Sequence, residues 1–291
     1  MRSIVLLAIL VFSSIGAHRA AAWGDDGHKI ICAIANSLLT ETQRTEVQRL
    51  VSLYRPGDGT PYRYFTAACN FADVARAKSQ AGNSRTWARF TRFDNWHFMN
   101  VSRQAQRATL ADCHDDCVLK GIAQHRERLA DKHLKDWERA EALILLAHWV
   151  GDIHQPLHVS YGDDLGGSSI NRMKGNYYRS QNLHSVWDSG IINRARGRRD
   201  WWEYGKTLMN VDVSQRRAWE GSSPLDWANE SYAIAIEQET DYCELRAGSC
   251  RSEGKTRTLT ERYQRRFQPV VEVRLRQAGV RLAKLIADAL E

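Results

Sequence analysis

Two His-x-x-x-Asp pairs, His148/Asp152 and His184/Asp188, carry the most chemistry in this chain. Residues four apart on a helix share a face, so each pair aims an imidazole and a carboxylate at one point. Neutral nitrogen and charged oxygen donors, at about 2.0–2.2 Å, are what a zinc ion binds. A single such pair is ordinary on a solvated helix. Two pairs, the first running on to His158 within HWVGDIHQPLH, form a metal-binding pattern. Residues that are costly to bury recur in WGDDGH (Trp23–His28), NFADVAR (Asn70–Arg76) and NWHFMN (Asn95–Asn100). A catalytic zinc keeps about three protein ligands and an open position. The candidate donors Trp23, His28, Asp73, His97, His148, Asp152, His158, His184 and Asp188 therefore suffice for three ions. Trp23 joins the set only as a mature N-terminus, through its α-amino nitrogen and carbonyl oxygen. Clustered zinc ions with open positions acidify water and polarise phosphoryl oxygens, which is hydrolytic chemistry.

Each donor has a plainer reading when taken alone. His28 reads as a helix-surface histidine, Asp73 as a cap, and His97, between Trp96 and Phe98, as a satisfied core histidine. His154 is expected to be a core histidine or a supporting donor, because Asp152 and His158 already fill the ligand spacing. His18 falls in the leader, and His114, His125 and His133 lie in charged surroundings that predict solvated surface. No H-E-x-x-H occurs, which argues against a metalloprotease, and no C-x-x-C supports zinc–thiolate binding.

The elements that must position these donors are helical. Ile30, Ile31, Ile34 and Leu38 follow helical spacing after a cap at Asp25 or Asp26, and Thr40 with Gln43 forms a capping box for the next helix. Glu138 to His154 is a strongly apolar helix that Pro156 ends, so it is expected to be central, and its His148 and Asp152 need partners inside the protein. A long closing helix runs from about Arg266 to Glu291. Segments 55–61 and 163–182 read as loops, and no alternating strand run, repeat or linker appears. The fold class is all-α: one mainly helical domain.

The chain opens with Arg2, an apolar run from Ile4 to Ile15, and AHRAAAW. That run is too short to span a membrane, and Ala20 and Ala22 suit a signal-peptidase site. Residues 1–22 are thus expected to be a signal peptide and 23–291 the mature domain, secreted or periplasmic, free of the membrane and monomeric. Loss of Arg2 and Arg19 lowers the formal charge from +7 to +5, a modest excess that suits a polyanionic partner. Cys32, Cys69, Cys113, Cys117, Cys243 and Cys250 are an even set in an exported protein, which points to disulfides. Close spacing favours Cys113–Cys117 and Cys243–Cys250, leaving Cys32 with Cys69. Six cysteines nevertheless allow fifteen pairings.

Together WGDDGH, FADVAR, WHF, HWVGDIHQPLH and NLHSVWD, in that order, resemble the zinc-dependent single-strand-specific nucleases of the S-one/P-one nuclease family. The resemblance covers essentially all of residues 23–291. It implies a mostly helical fold shared with zinc phospholipase C, built around a trinuclear zinc site. It implies one zinc on Trp23, His28 and Asp152, a second on Asp73, His97, His148 and Asp152, and a third on His158, His184 and Asp188. In that arrangement the first two ions serve the attacking water and the third the leaving 3′-oxygen. Asp73 and Asp152 count as catalytic, with Arg76 beside the scissile phosphate, Phe98 as a stacking ring for a base and Asn100 at the base edge. Single-stranded DNA, RNA and 3′-nucleotides are the implied substrates, with 5′-phosphorylated products. Cys32–Cys69 and Cys113–Cys117 sit where family members carry bridges.

Two departures stand out. Phe71 replaces a Trp common before the Asp of its motif, and Gly166-Gly167-Ser168 replaces Gly-Gly-Asn near the substrate, which bears on base preference and rate. Zinc-dependent phospholipase C is the nearest alternative, but it carries Glu where this chain has Asp188.

Overall fold

The segment Asp136–Ile153 is too apolar to lie on a surface, and every side chain from Arg139 to Ile153 is buried. The fold is a packing of helices around it. The structure, a computed structural model, describes residues 23–57, 59–82, 85–163, 165–170, 177–178, 182–237, 240, 242, 244–246, 249–251 and 259–291. The expected signal peptide and the Cys243–Cys250 pairing lie outside the described residues.

The first half of the chain forms α1 (Asp25–Leu38), α2 (Glu41–Leu53), α3 (Phe65–Ala68), α4 (Phe71–Gln80), α5 (Arg85–Ala88), α6 (Val118–Ala130) and α7 (Asp136–Ile153). The second half forms α8 (Leu183–Ser185), α9 (Ile191–Arg196), α10 (Trp201–Lys206), α11 (Val213–Glu220), α12 (Pro224–Ala235) and α13 (Glu261–Leu290). Strands are minimal. Met99–Asn100 (β1) pairs in parallel with Val159–Ser160 (β2), and Glu244–Arg246 (β3) pairs antiparallel with Ser249–Arg251 (β4). The all-α class expected from the sequence is what the structure shows.

Local chemistry sets the helix ends. Thr40 and Gln43 form the expected capping box of α2. Ser223 and Asp226 form another at α12, with Pro224 at its first turn, where the missing N–H costs nothing. The closing helix opens at Glu261, earlier than Arg266, and runs through Pro269. Tertiary contacts outweigh the proline there: Tyr263 accepts a hydrogen bond from Trp187, Gln264 donates to the Ile191 carbonyl, and Phe267 is buried. Helix α13 lies close against α1 because position 279 is glycine. A Cβ there would stand 2.5 Å from Ile34 Cγ2.

The C-terminal end of α7 is held by a buried polar network from α12 and α13. Ser231 Oγ donates to the Ile153 carbonyl at 2.5 Å, and Arg274 Nε to that of His154 at 3.2 Å. Cations at a helix C-terminus also complement its dipole. Arg274 and Arg281 are both buried and share the Glu230 carboxylate, with Arg281 bidentate at 2.6 and 2.7 Å. Burial brings the Arg274 guanidinium down to about 10.

Removing one partner of a buried ion pair leaves an uncompensated charge, at about 3–5 kcal/mol. Glu230→Gln is therefore expected to destabilise the fold by about 3 kcal/mol, the lower end, because the carboxylate is partly exposed. Urea unfolding measures it. A loss under 1 kcal/mol, roughly the value of a surface pair, would show that the arginines are satisfied without Glu230.

Candidate metal centre

Three groups of histidine and aspartate side chains meet around α7: His28/Asp73/His148, His97/His148/Asp152 and His158/His184/Asp188. His148 and Asp152 project from one face of α7, with His148 Nε2 3.3 Å from Asp152 Oδ2. His28 comes from α1 and stacks on His148, ring centroids 4.0 Å apart, with its Nε2 3.3 Å from Asp152 Oδ1. This approach needs Gly151, where a Cβ would lie 2.7 Å from His28 Cε1 and Nδ1. Asp73 comes from the first turn of α4, its Oδ1 3.6 Å from His148 Nε2 and 3.7 Å from His97 Nδ1. His97 ends a 3₁₀ turn, Thr91–His97, with Nδ1 2.9 Å from Asp152 Oδ2.

The β1–β2 pairing joins this set to the next one. Met99 is opposite Val159, so the residues just after His97 and just after His158 lie side by side. His158 Nδ1 meets the His97 carbonyl at 2.5 Å. The His184/Asp188 pair differs from a plain helical turn. His184 sits in α8, while Asp188 lies in a π-helical turn, Val186–Gly190, a form that recurs at functional sites. The two still converge, with His184 Nε2 3.4 Å from Asp188 Oδ1 and 3.1 Å from His158 Nε2.

These distances fit ions. Two ligands on a tetrahedral zinc at 2.0–2.2 Å stand about 3.3–3.6 Å apart. The tautomers fit as well. The Nδ1 atoms of His148, His158 and His184 face the carbonyls of Cys69, His97 and Gly166, which turns each Nε2 towards its carboxylate. His28 Nε2, His148 Nε2 and Asp152 Oδ1 are buried without a hydrogen-bond partner.

Electrostatics points the same way. Burial, then the like charges of Asp73 and Asp188, pushes the Asp152 carboxyl well above the usual range, against the pull of Arg76. Burial raises Asp188 too, and then a hydrogen bond from Gln155 lowers it in part. Burial pushes His28, His97 and His158 well below the usual imidazole value. Neutral imidazoles facing carboxylates that need a countercharge make a receptor for a cation.

The other candidates fall around this core. Trp23 is fully buried, its indole nitrogen without a partner, and the next residue is tied to the site by Gly24 N donating to the Asp188 carbonyl at 2.9 Å. Arg76 is mostly buried, its Nε 3.9 Å from Asp94 Oδ1, and its charge depresses His97 and His158. Phe98 is half-buried, and among the described residues no aromatic ring packs on it. Asn100 is exposed with its amide against Gly162. Phe71, the departure from Trp, is buried edge-on to Tyr54 and Phe90, so the change lies in the core.

His114 and His133 are exposed as expected, and His154 is a satisfied core histidine, accepting from Arg281 at 2.9 Å. His125 contradicts the surface expectation. It is buried beside Phe93, Trp96 and Trp149, its Nδ1 2.9 Å from the Gly121 carbonyl, and burial brings it down to about 4. Val118, Ile122 and Leu129 share its buried helix face, a periodicity that outranks its charged chain neighbours. Two contributors went unread in the sequence. Asp116, inside the Cys113–Cys117 loop, accepts from Asn95 and from the Trp96 indole at 2.6 Å each, bracing the turn before His97. Gln155, inside HWVGDIHQPLH, bonds Asp188 at 2.6 Å.

The family profile described as S1/P1 nuclease matches residues 23–291. The chain belongs to the S1/P1 nuclease family. Endonuclease 2 of Arabidopsis thaliana is 30% identical, the alignment covering 96% of this chain and 94% of that protein. Nuclease P1 of Penicillium citrinum is 26% identical over 91% of this chain and 97% of its own length. Nuclease S1 of Aspergillus oryzae is 24% identical over 90% and 89%. This S1/P1 family member is thus a hydrolytic nuclease acting on nucleic acid, with histidine–aspartate groups able to hold metal ions. It carries the Cys32–Cys69 and Cys113–Cys117 disulfides, and no helix among its described residues is long and apolar enough to cross a membrane.

Gly151→Ala in this nuclease is expected to keep its helical content while displacing His28. Metal affinity should fall about tenfold to a hundredfold, measured by calorimetric titration of the metal-stripped protein. Unchanged affinity would show that His28 is not a ligand.

Proposed function

We propose that this nuclease is a zinc-dependent phosphodiesterase that cuts single-stranded DNA and RNA to 5′-phosphorylated products and also dephosphorylates 3′-nucleotides. One observation carries the reading: three convergent histidine–aspartate groups, one of them containing His97, adjoin half-buried Phe98, on which no aromatic ring packs among the described residues. Trp23, His28 and Asp152 would hold one zinc, Asp73, His97, His148 and Asp152 a second, and His158, His184 and Asp188 a third. Zinc supplies acidified water and Lewis-acid polarisation of the phosphoryl and leaving oxygens.

The chain's own residues do the rest. Arg76, poised beside Asp73 and His97, stabilises charge on the phosphoryl oxygens through its guanidinium fork. Phe98 stacks a base, worth about 1–3 kcal/mol, and Asn100 reaches the base edge as donor and acceptor. A base engaged this way cannot remain in a duplex stack, which favours single strands. The protein acts as a monomer, exported to the periplasm or beyond after residues 1–22 are removed, with Trp23 as its first residue.

Chelation is expected to abolish cleavage of single-stranded DNA, and zinc to restore it. Full activity at zero metal content would sink the reading. Asp152→Asn should remove more activity than Phe98→Ala, whose cost is about tenfold to a hundredfold in substrate binding. Equal small losses would contradict a bridging role for Asp152.

The N-terminus offers a separate test. An amide nitrogen does not coordinate zinc as a free α-amino group does, so a residue added before Trp23 should leave the core and disulfides intact. The extended protein should hold one zinc fewer, or hold it weakly, and lose most cleavage. Equal zinc content and rate for native and extended proteins would make Trp23 only a buried aromatic.

A further inference from the structure

We propose that Gln155 is a positioning residue for the His158/His184/Asp188 group, fixing the Asp188 carboxylate against the two imidazoles through its side-chain amide. This rests on the zinc reading above. Gln155 is wholly buried in the turn between α7 and the Pro156–His158 3₁₀ turn. Its Nε2 donates to Asp188 Oδ1 at 2.6 Å, and that oxygen is the one 3.4 Å from His184 Nε2 and 3.8 Å from His158 Nε2. Its Oε1 accepts from the Leu157 N–H at 2.5 Å.

The two halves of the amide hold each other in place. A flipped amide would set its NH₂ against the Leu157 N–H and its oxygen against the carboxylate, losing both bonds. The main chain of Gln155 is pinned as well: its N–H donates to the Asp152 carbonyl and its carbonyl accepts from the His158 N–H, each at 3.0 Å. One residue therefore touches Asp152, His158 and Asp188 at once.

Among the described residues Asp152 faces three imidazoles and Asp188 two, so the Gln155 amide is the third polar contact of the Asp188 carboxylate. A carboxylate free to rotate could chelate an ion through both oxygens and occupy the position a leaving oxygen requires. Gln155 prevents that rotation and adds no charge. A glutamate would offer a rival ligand and cancel the positive charge left on a His₂Asp zinc.

Partners of this kind contribute about tenfold to a hundredfold in metal affinity. Gln155→Met keeps the side chain's length and bulk and removes its donor. Ser160→Ala is the control: Ser160 is buried in the same region, and its hydroxyl donates to the Leu157 carbonyl at 2.6 Å without touching a metal donor.

Native and variant proteins, zinc-loaded and processed at Ala22, are titrated with a chromophoric zinc chelator, with elemental analysis of zinc retained. Gln155→Met should release one of three ions at ten- to a hundredfold lower chelator and keep two, whereas Ser160→Ala should match the native protein. Excess zinc should restore the native count in Gln155→Met. Equal retention in Gln155→Met and native protein overturns the inference, as does release in parallel with an equal drop in Tm for both variants. If the native protein itself retains no zinc, the zinc reading fails instead.

Discussion

The structure depends on one unfavourable act, the burial of Asp152 and Asp188, which among the described residues form ion pairs with histidines and with no lysine or arginine. Asp152 is fully buried on the most apolar helix of the protein, and its ion-pair partners are His28, His97 and His148. Each of those imidazoles is itself buried. A carboxylate moved into such a setting costs several kcal/mol unless a countercharge accompanies it. His28 and His97, kept neutral by burial, do not supply one. A cation held by these groups would supply it, and the surrounding elements are built to present them.

They are built to keep donors still. Backbone carbonyls at Cys69, His97 and Gly166 hold three imidazoles in one tautomer and one rotation, and the first two carbonyls are anchored in turn. Cys69 is bridged to Cys32 on α1, so the disulfide fixes the acceptor that orients His148. His97 is held from both sides, by the β1–β2 pairing that follows it and by Asp116 bracing the turn before it. The strands are two residues long because their task is registration of two ligand segments; they add no sheet to the core. Trp149 meets the rings of His97 and His148 edge-on, centroids 4.8 and 5.4 Å away, which closes the remaining rotational freedom.

Much of this is legible in the sequence, and the illegible parts share a cause. The apolar run around His148 announces a buried helix, and a buried helix with His and Asp on one face announces a metal. The capping box at Thr40 is local chemistry and reads directly. The start of α13 does not, because Glu261–Arg265 is polar but for Tyr263 and is fixed by contacts with Trp187 and Ile191 from elsewhere in the chain. His125 misleads for the opposite reason: its charged neighbours are close in sequence, whereas its buried face is set by residues a helical turn away. Gln155 and Asp116 carry no residue-type signal. Their roles exist only once segments far apart in sequence meet.

The protein also contains its own comparison. At the C-terminal end of α7, immediately beyond Asp152, Arg274 and Arg281 are buried as deeply as the candidate metal donors, yet their N–H groups find acceptors inside the chain: both share the one Glu230 carboxylate, and the His154 ring, Ser222 and Ser231 take further hydrogen bonds. That network is complete within the chain. One turn away the opposite holds: imidazole nitrogens and a carboxylate oxygen are buried with no partner. The same fold thus satisfies the hydrogen bonds of buried polar groups where helices are held together and leaves them open in the groups able to hold a metal ion. An ion held by those groups would explain why a helix so apolar carries histidine and aspartate towards its C-terminal end.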